Sequence, residues 1–377
     1  MSIYFVFALS LINATSARAA RVLLALYALE LDAQPLTVGI LAATFSAFPV
    51  LLSVPAGRLA DRFGARWLLM FSALGGALGM LMPYVFPGLP AIFVAAAMIG
   101  LCFGIYDLSV QNFVGLLSNP RTRPQNFSNL SMVWSVGNLV GPLIAGFSID
   151  YSGHATACLY LALLMLVPIM MLAIRGGALP RDAHQIMHAE RGVLAMLSEP
   201  GVRKVLVNTS LQNAGQDMFQ FYMPVYLHAI GLSASTIGIV LSVNSAAMFV
   251  VRLILPRLIA RFTEGKVLTY AFYVAAASLM LVPLFKDAAM LALISFLFGL
   301  GMGCQGPIIT MLMFDNAPEG RSGEALGLRM TAGHLTKVVS PVVFGSIGSA
   351  FGLFPVFWIG ALMMGTGGML SRPKNCD

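Results

Sequence analysis

Apolar residues along this chain do not alternate with polar ones; they run in blocks of about twenty, separated by short clusters of Pro, Gly, Asp and Arg. A helix rising 1.5 Å per residue needs about 20 residues to cross a bilayer core, whereas the strands of a membrane barrel would alternate. Twelve blocks are legible, at 3–29, 37–56, 67–86, 91–117, 126–149, 155–174, 203–229, 235–256, 266–285, 289–314, 324–348 and 353–371. The pattern predicts an all-α membrane protein with twelve transmembrane helices, here spans 1 to 12, and leaves almost nothing for a soluble domain.

Composition agrees. Of the 377 residues 58% are hydrophobic and 10% charged, against about 25% charged in soluble domains. The net charge of +7 would suit nucleic acid, but its distribution argues for topology instead. With the N-terminus in the cytoplasm, the segments on that side hold Arg58, Arg62, Arg66, Arg121, Arg123, Arg175, Arg181, Arg191, Arg203, Lys204, Arg257, Arg261, Lys266, Arg321, Arg372 and Lys374; the other side holds Lys286 alone. Basic residues gather on the cytoplasmic side of membrane proteins, so both termini are expected there, in the cytoplasmic (inner) membrane, with lipid rather than nucleic acid as the surrounding partner. Cys102, Cys158 and Cys304 fall in spans and Cys376 in the tail, without metal-type spacing, and His184 with His188 lacks a third ligand. No metal and no bound cofactor is expected.

One fixed offset relates the two halves. Adding 199 carries Gly100 and Gly104 onto Gly299 and Gly303, Pro142 and Gly146 onto Pro341 and Gly345, Arg58 and Arg62 onto Arg257 and Arg261, and Gly153 onto Gly352. Each half holds six spans, so both begin on the same side and form parallel repeats. The expected organisation is a six-helix half over 1–175, a cytoplasmic linker over 176–202 and a second half over 203–377.

The loop between spans 2 and 3 reads GRLADRFGAR. Gly57, Leu59, Asp61, Arg62, Gly64 and Arg66 match every position of the signature loop of the major facilitator superfamily, which the whole chain resembles in its twelve spans and two parallel halves. The resemblance implies secondary transport by alternating access. It also implies that the loop latches the halves, with Asp61 as the acid and Arg329 at the start of span 11 as a facing partner. In the second half Pro256 and Ala260 replace Gly57 and Asp61, so the latch should be one-sided. Span 5 carries Gly137, Gly141, Pro142 and Gly146, similar to the family's antiporter motif; close packing of small residues and a proline bend explain the same pattern structurally. The arginine common in span 4 of drug–proton antiporters is absent, Gly100 standing in its place.

By the same resemblance spans 1, 4, 7 and 10 line a central cavity, flanked by 2, 5, 8 and 11. The polar residues inside the membrane follow that division: Arg18 and Arg21 in span 1, Asp107 and Gln111 in span 4, Asn213, Gln216, Asp217 and Gln220 in span 7, Gln305 in span 10, His334 and Lys337 in span 11. The interiors of spans 3, 6, 9 and 12 hold no ionisable residue. A charge at the bilayer centre costs at least about 2.5–3.5 kcal/mol, so these groups must face partners or water. Their spacing of three and four puts them on one face of each helix. Arg18 and Asp217 are repeat mates, a cation and an anion able to form a switchable pair or a fixed one.

The pattern points to a transporter, not an enzyme, acting on a small polar or anionic organic molecule, driven by a proton gradient, with export favoured by the span 5 motif and a monomer sufficient. Multidrug efflux of lipophilic compounds and uptake of an organic anion are the alternatives within transport. A receptor, a sensor or an intramembrane enzyme would need a signalling domain or a nucleophile with its base, and neither motif is present.

Overall fold

The computed structural model describes residues 3–47, 65–118, 123–175, 199–317 and 322–372. They form helices α1 (Ile3–Glu30), α2, described over Pro35–Ala47, α3 (Ala65–Val85), α4 (Leu89–Leu116), α5 (Arg123–Ser152), α6 (His154–Arg175), α7 (Pro200–Ala229), α8 (Ala234–Phe262), α9 (Glu264–Leu281), α10 (Ala288–Asn316), α11 (Ser322–Phe351) and α12 (Leu353–Ser371), with a single 3₁₀ turn at Val282–Leu284. These are the twelve helices of the hydropathy pattern, several of them longer by a turn. The extension is physical: a helix continues past the apolar block until a turn residue ends it. The fold is all-α.

Two compact units divide the chain. Unit 1 is Met1–Gln185 with Leu227–Ser242, and unit 2 is Ile186–Tyr226 with Val243–Asp377. The end of α7 and the first three turns of α8, which belong to the second sequence repeat, are therefore grouped with the first. The 1–175, 176–202 and 203–377 division remains a reading of the repeat.

In unit 1 the core joins α1, α3, α4, α5 and α6 through Val6, Leu9, Leu69, Tyr106, Val110, Phe113, Leu130 and Leu172, all buried. Two polar contacts fix the register within it: Tyr106 donates to the carbonyl of Leu9 at 3.3 Å, and the Trp134 indole N–H donates to Ser10 Oγ at 3.2 Å. Unit 2 uses aromatic pairs. Phe219 stacks on Phe298 with centroids 4.4 Å apart, and Tyr226 donates to the Phe285 carbonyl at 2.9 Å while its ring meets Phe357 edge-on. Large apolar side chains left outside, among them Phe71, Leu163, Met280 and Leu362 on α3, α6, α9 and α12, suit a lipid-facing surface and would be costly in water.

The repeat offset reappears in three dimensions. A Cβ built on Gly100 would lie 2.3 Å from the Phe45 carbonyl oxygen, and one on Gly299 would lie 2.3 Å from that of Asn244; Phe45 plus 199 is Asn244. Each unit thus repeats one contact in which only glycine lets two helices touch backbone to backbone. The turns repeat as well: Asp32 (φ 58°) corresponds to Gly231 (φ 84°), and Gly153 (φ 81°) to Gly352 (φ 85°). A left-handed residue ends one helix and aims the next in both halves.

Candidate functional site

In unit 1, Arg18 and Arg21 lie on α1, which packs closely on α5. A Cβ on Gly137 would meet Ala14 and the backbone of Thr15, and one on Gly141 would lie 2.7 Å from Arg18 Cβ and 2.9 Å from the Ala19 nitrogen. These two glycines therefore press α5 onto the turn of α1 that carries Arg18. Arg21 sits with its guanidinium 5.7 Å from the Phe45 ring centroid of α2, a cation–π arrangement that shields a charge from the apolar surroundings. On α4, Gln111 Nε2 donates to Asp107 Oδ2 at 3.0 Å. The carboxylate and the amide act as one unit a single turn apart.

Gly146 belongs to a different contact. A Cβ there would lie 2.3 Å from the Ala234 carbonyl oxygen of α8, and one on Gly238 would lie 2.4 Å from the Pro142 carbonyl oxygen. The span 5 motif thus serves two neighbours, α1 with its first two glycines and α8 with Pro142 and Gly146. Pro142 has no N–H to donate, which loosens the turn before it; Ser242 of α8 donates to the Leu139 carbonyl there, at 2.6 Å.

In unit 2, α7 carries two adjacent polar stripes. Asn213 donates to the Thr209 carbonyl at 2.9 Å and lies beside Gly333 of α11, while Gln212 lies beside Gly306 of α10. Asp217 is 5% exposed and Gln305 0%, and Gln220 is half-buried. The side-chain oxygen of Gln216 and both amide atoms of Gln305 are buried with no hydrogen-bond partner among the described residues. On α11, Lys337 and Arg329 are half-buried and His334 is exposed; the Arg329 Nε has no hydrogen-bond partner among the described residues. Arg18 belongs to unit 1 and Asp217 to unit 2. Gly57, Asp61, Arg62 and Gly64 of the signature loop lie outside the described residues, as does the side chain of Arg66.

Three features escaped the sequence reading. Asn208 and Asn244 are buried, at 1% and 3% exposure, each with its side-chain oxygen unpartnered among the described residues. Asn208, Gln212 and Gln216 are spaced by four, so the stripe on α7 could have been followed one turn further. Asp150 is the third: its two carboxylate oxygens accept the backbone N–H groups of Ala234 at 3.0 Å and Ser235 at 2.8 Å. Its partners lie 84 and 85 residues on, beyond the reach of any local pattern. Beside it His154 pairs with Glu30 and stacks on Tyr27. Among the described residues no cluster of His, Cys, Asp and Glu could hold a metal.

Polar groups spaced along long apolar helices, in a twelve-helix chain with an internal repeat, are the architecture of a membrane carrier. The sequence profile of the Major Facilitator Superfamily matches residues 6–341. The chain belongs to this superfamily. It is similar to the Multidrug resistance protein MdtG of Salmonella paratyphi A, 24% identical over 315 residues that cover 81% of this chain and 77% of that protein, and to the protein of the same name from Enterobacter lignolyticus, 23% identical with 82% and 75% covered. Among solved structures, the nucleoside transporter NupG superposes with a TM-score of 0.80 at 13% identity over 99% of this chain and 100% of that one. The peptide transporter POT in complex with sulfate reaches 0.80 at 16% identity, covering 98% and 93%. At such identities the two structures speak for the fold. As a superfamily member the chain is a multi-pass membrane transporter of a small-molecule substrate, and the family points to transport rather than catalysis.

Proposed function

We propose that this protein is an alternating-access exporter, driven by the proton gradient of the cytoplasmic membrane, for a small polar or anionic organic molecule. The observation that carries the reading is the confinement of charge. Arg18, Arg21, Asp107, Asp217 and Lys337 lie on α1, α4, α7 and α11, whereas the interiors of α3, α6, α9 and α12 hold no Asp, Glu, Lys, Arg or His. Membrane-embedded charges are costly and persist where they bind substrate or carry protons. Asp107 with its Gln111 partner and Asp217 are the proton-accepting groups of this scheme, and the arginines receive the anionic end of the substrate. The Gln216 side-chain oxygen and the whole Gln305 amide, buried without partners among the described residues, offer it hydrogen bonds. Asp61 of the signature loop and Arg329 of α11 serve as a latch in the cycle. Both termini lie in the cytoplasm, and the monomer is the working unit.

A second reading has its own support: relatives covering most of the chain are named Multidrug resistance protein, which favours efflux of lipophilic compounds. Flux in proteoliposomes under an imposed pH gradient separates the two, using a panel of organic anions, zwitterions and lipophilic cations. Proton-driven flux of anions or zwitterions that falls at least tenfold in Arg18→Ala, with the variant still present in the membrane, supports the first reading. Flux of lipophilic cations that survives the substitution supports the second, and uptake against export reads the direction.

A further inference from the structure

Asp150 lies in the last turn of α5 and has another helix as its partner. Its carboxylate spans the first two N–H groups of α8, Ala234 and Ser235, while Ser233 accepts the next one, from Thr236, at 3.3 Å. The start of α8 is thus capped from two sources: its own preceding serine, which stays with α8 wherever it goes, and an anion belonging to α5. Unpaired N–H groups and the positive end of the helix dipole make this the place where a carboxylate binds a helix best. Below the cap, α5 and α8 touch backbone to backbone at Gly146 and Ala234 and again at Pro142 and Gly238, and Ser242 donates to Leu139. The apposed segments, 139–150 and 234–242, therefore carry one charged contact, at their very end. From Val243 onward α8 belongs to unit 2.

We propose that Asp150 is a positioning residue of the transport cycle: a charge–dipole latch that holds the first three turns of α8 on α5 and must let go for the two helices to part. Below Asp150 the seam is held by close backbone packing and one serine hydroxyl, so the carboxylate is the one contact in it whose strength depends on charge. The flanking groups bear on the latch. Glu30 from α1 pairs with His154 of α6, and His228, at the end of α7, and Asp150 itself lie within electrostatic reach of that imidazole. Each of these groups sits where α1, α5 and α7 end and α6 and α8 begin, the extracytoplasmic face in the proposed orientation. The inference rests on the alternating-access reading.

The test follows the opening of the seam rather than stability. In a chain with Cys102, Cys158, Cys304 and Cys376 replaced by serine, Ser242→Cys places one thiol on the α5–α8 seam, and its rate of reaction with a membrane-impermeant maleimide is measured from each face. A lost cap shifts an equilibrium about fivefold, so labelling from the face of the Asp150 cap should accelerate about fivefold in Asp150→Ala and by less in Asp150→Asn, which keeps the shape and one acceptor oxygen. Parental rates in both variants, at parental protein levels, overturn the latch; where Asp150→Ala fails to accumulate, Asp150→Asn decides, since a merely shape-filling role predicts no change in it. Acceleration seen only from the cytoplasmic face overturns the orientation and leaves the latch standing. Labelling needs no substrate, so it reads the latch even where proton-driven flux is absent and the proposed function has failed.

Discussion

Gln305 shows at the scale of one residue how function is visible as a cost. Its side chain is wholly enclosed in α10, and neither amide atom has a hydrogen-bond partner among the described residues. A buried polar group left unpaired costs about 1–3 kcal/mol, and an apolar side chain of similar volume would remove that cost with little repacking. Replacing Gln305 by Met should therefore raise the melting temperature of the purified protein by a few degrees while lowering transport at least tenfold. Thermal unfolding followed beside flux checks both signs; a variant that melts lower and transports normally would show that the amide is paired for structure. The polar character of Gln305 was legible in the sequence because a glutamine inside a GLGMGCQG run has no reason to be there for packing. That it would be enclosed rather than facing open space was not legible, since enclosure depends on what the neighbouring helices bring.

Helix limits needed only hydropathy, because a bilayer imposes one length on every span, and the helix ends that fall among the described residues lie within a few residues of the apolar blocks. Helix contacts were harder. The glycines of α5 look alike in sequence, yet Gly137 and Gly141 meet α1 and Gly146 meets α8; which face a glycine presents follows from helix rotation, which no local pattern encodes. Gly100 makes the point most sharply. From the sequence its position reads as a missing arginine. In the structure it is the place where α4 touches the backbone of α2 at Phe45, and its mate Gly299 touches α8 at Asn244. A larger residue at either site must push two helices apart. Gly100→Ala and Gly299→Ala should each destabilise by about 1–3 kcal/mol and by similar amounts, because the repeat makes the contacts equivalent. Gly327, on α11 with open space around it, is the control: alanine there should stabilise by up to about 1 kcal/mol through helix propensity. Parallel thermal melts of the three variants decide it, and a loss at Gly327 equal to the others would mean that chain stiffness rather than contact sets the effect.

For the molecule as a whole, the same offset of 199 that aligns Gly100 with Gly299 sets Arg18 against Asp217: the scaffold is duplicated and the chemistry is not. Contacts and turns obey the repeat, whereas the charges break it, as expected of a carrier in which two similar halves must bind one asymmetric molecule. Asp150 breaks it too, since its repeat position is Ser349, so the α5–α8 cap has no carboxylate equivalent in the second half. The direction in which this asymmetry operates depends on orientation, and orientation rests on charge alone. The sequence pattern puts sixteen basic residues in segments expected on one side of the bilayer and Lys286 alone in those expected on the other, a kind of bias that sets topology through the short loops near the span ends. Alkaline phosphatase, which folds only where disulfides form, should be active when fused after Lys286, between α9 and α10, and inactive when fused after Arg372, at the end of α12. A fluorescent protein joined at Arg372 should give the opposite result. Activity after Arg372 with none after Lys286 would invert the molecule, placing the Asp150 cap on the cytoplasmic side and exchanging the sides from which substrate and protons enter.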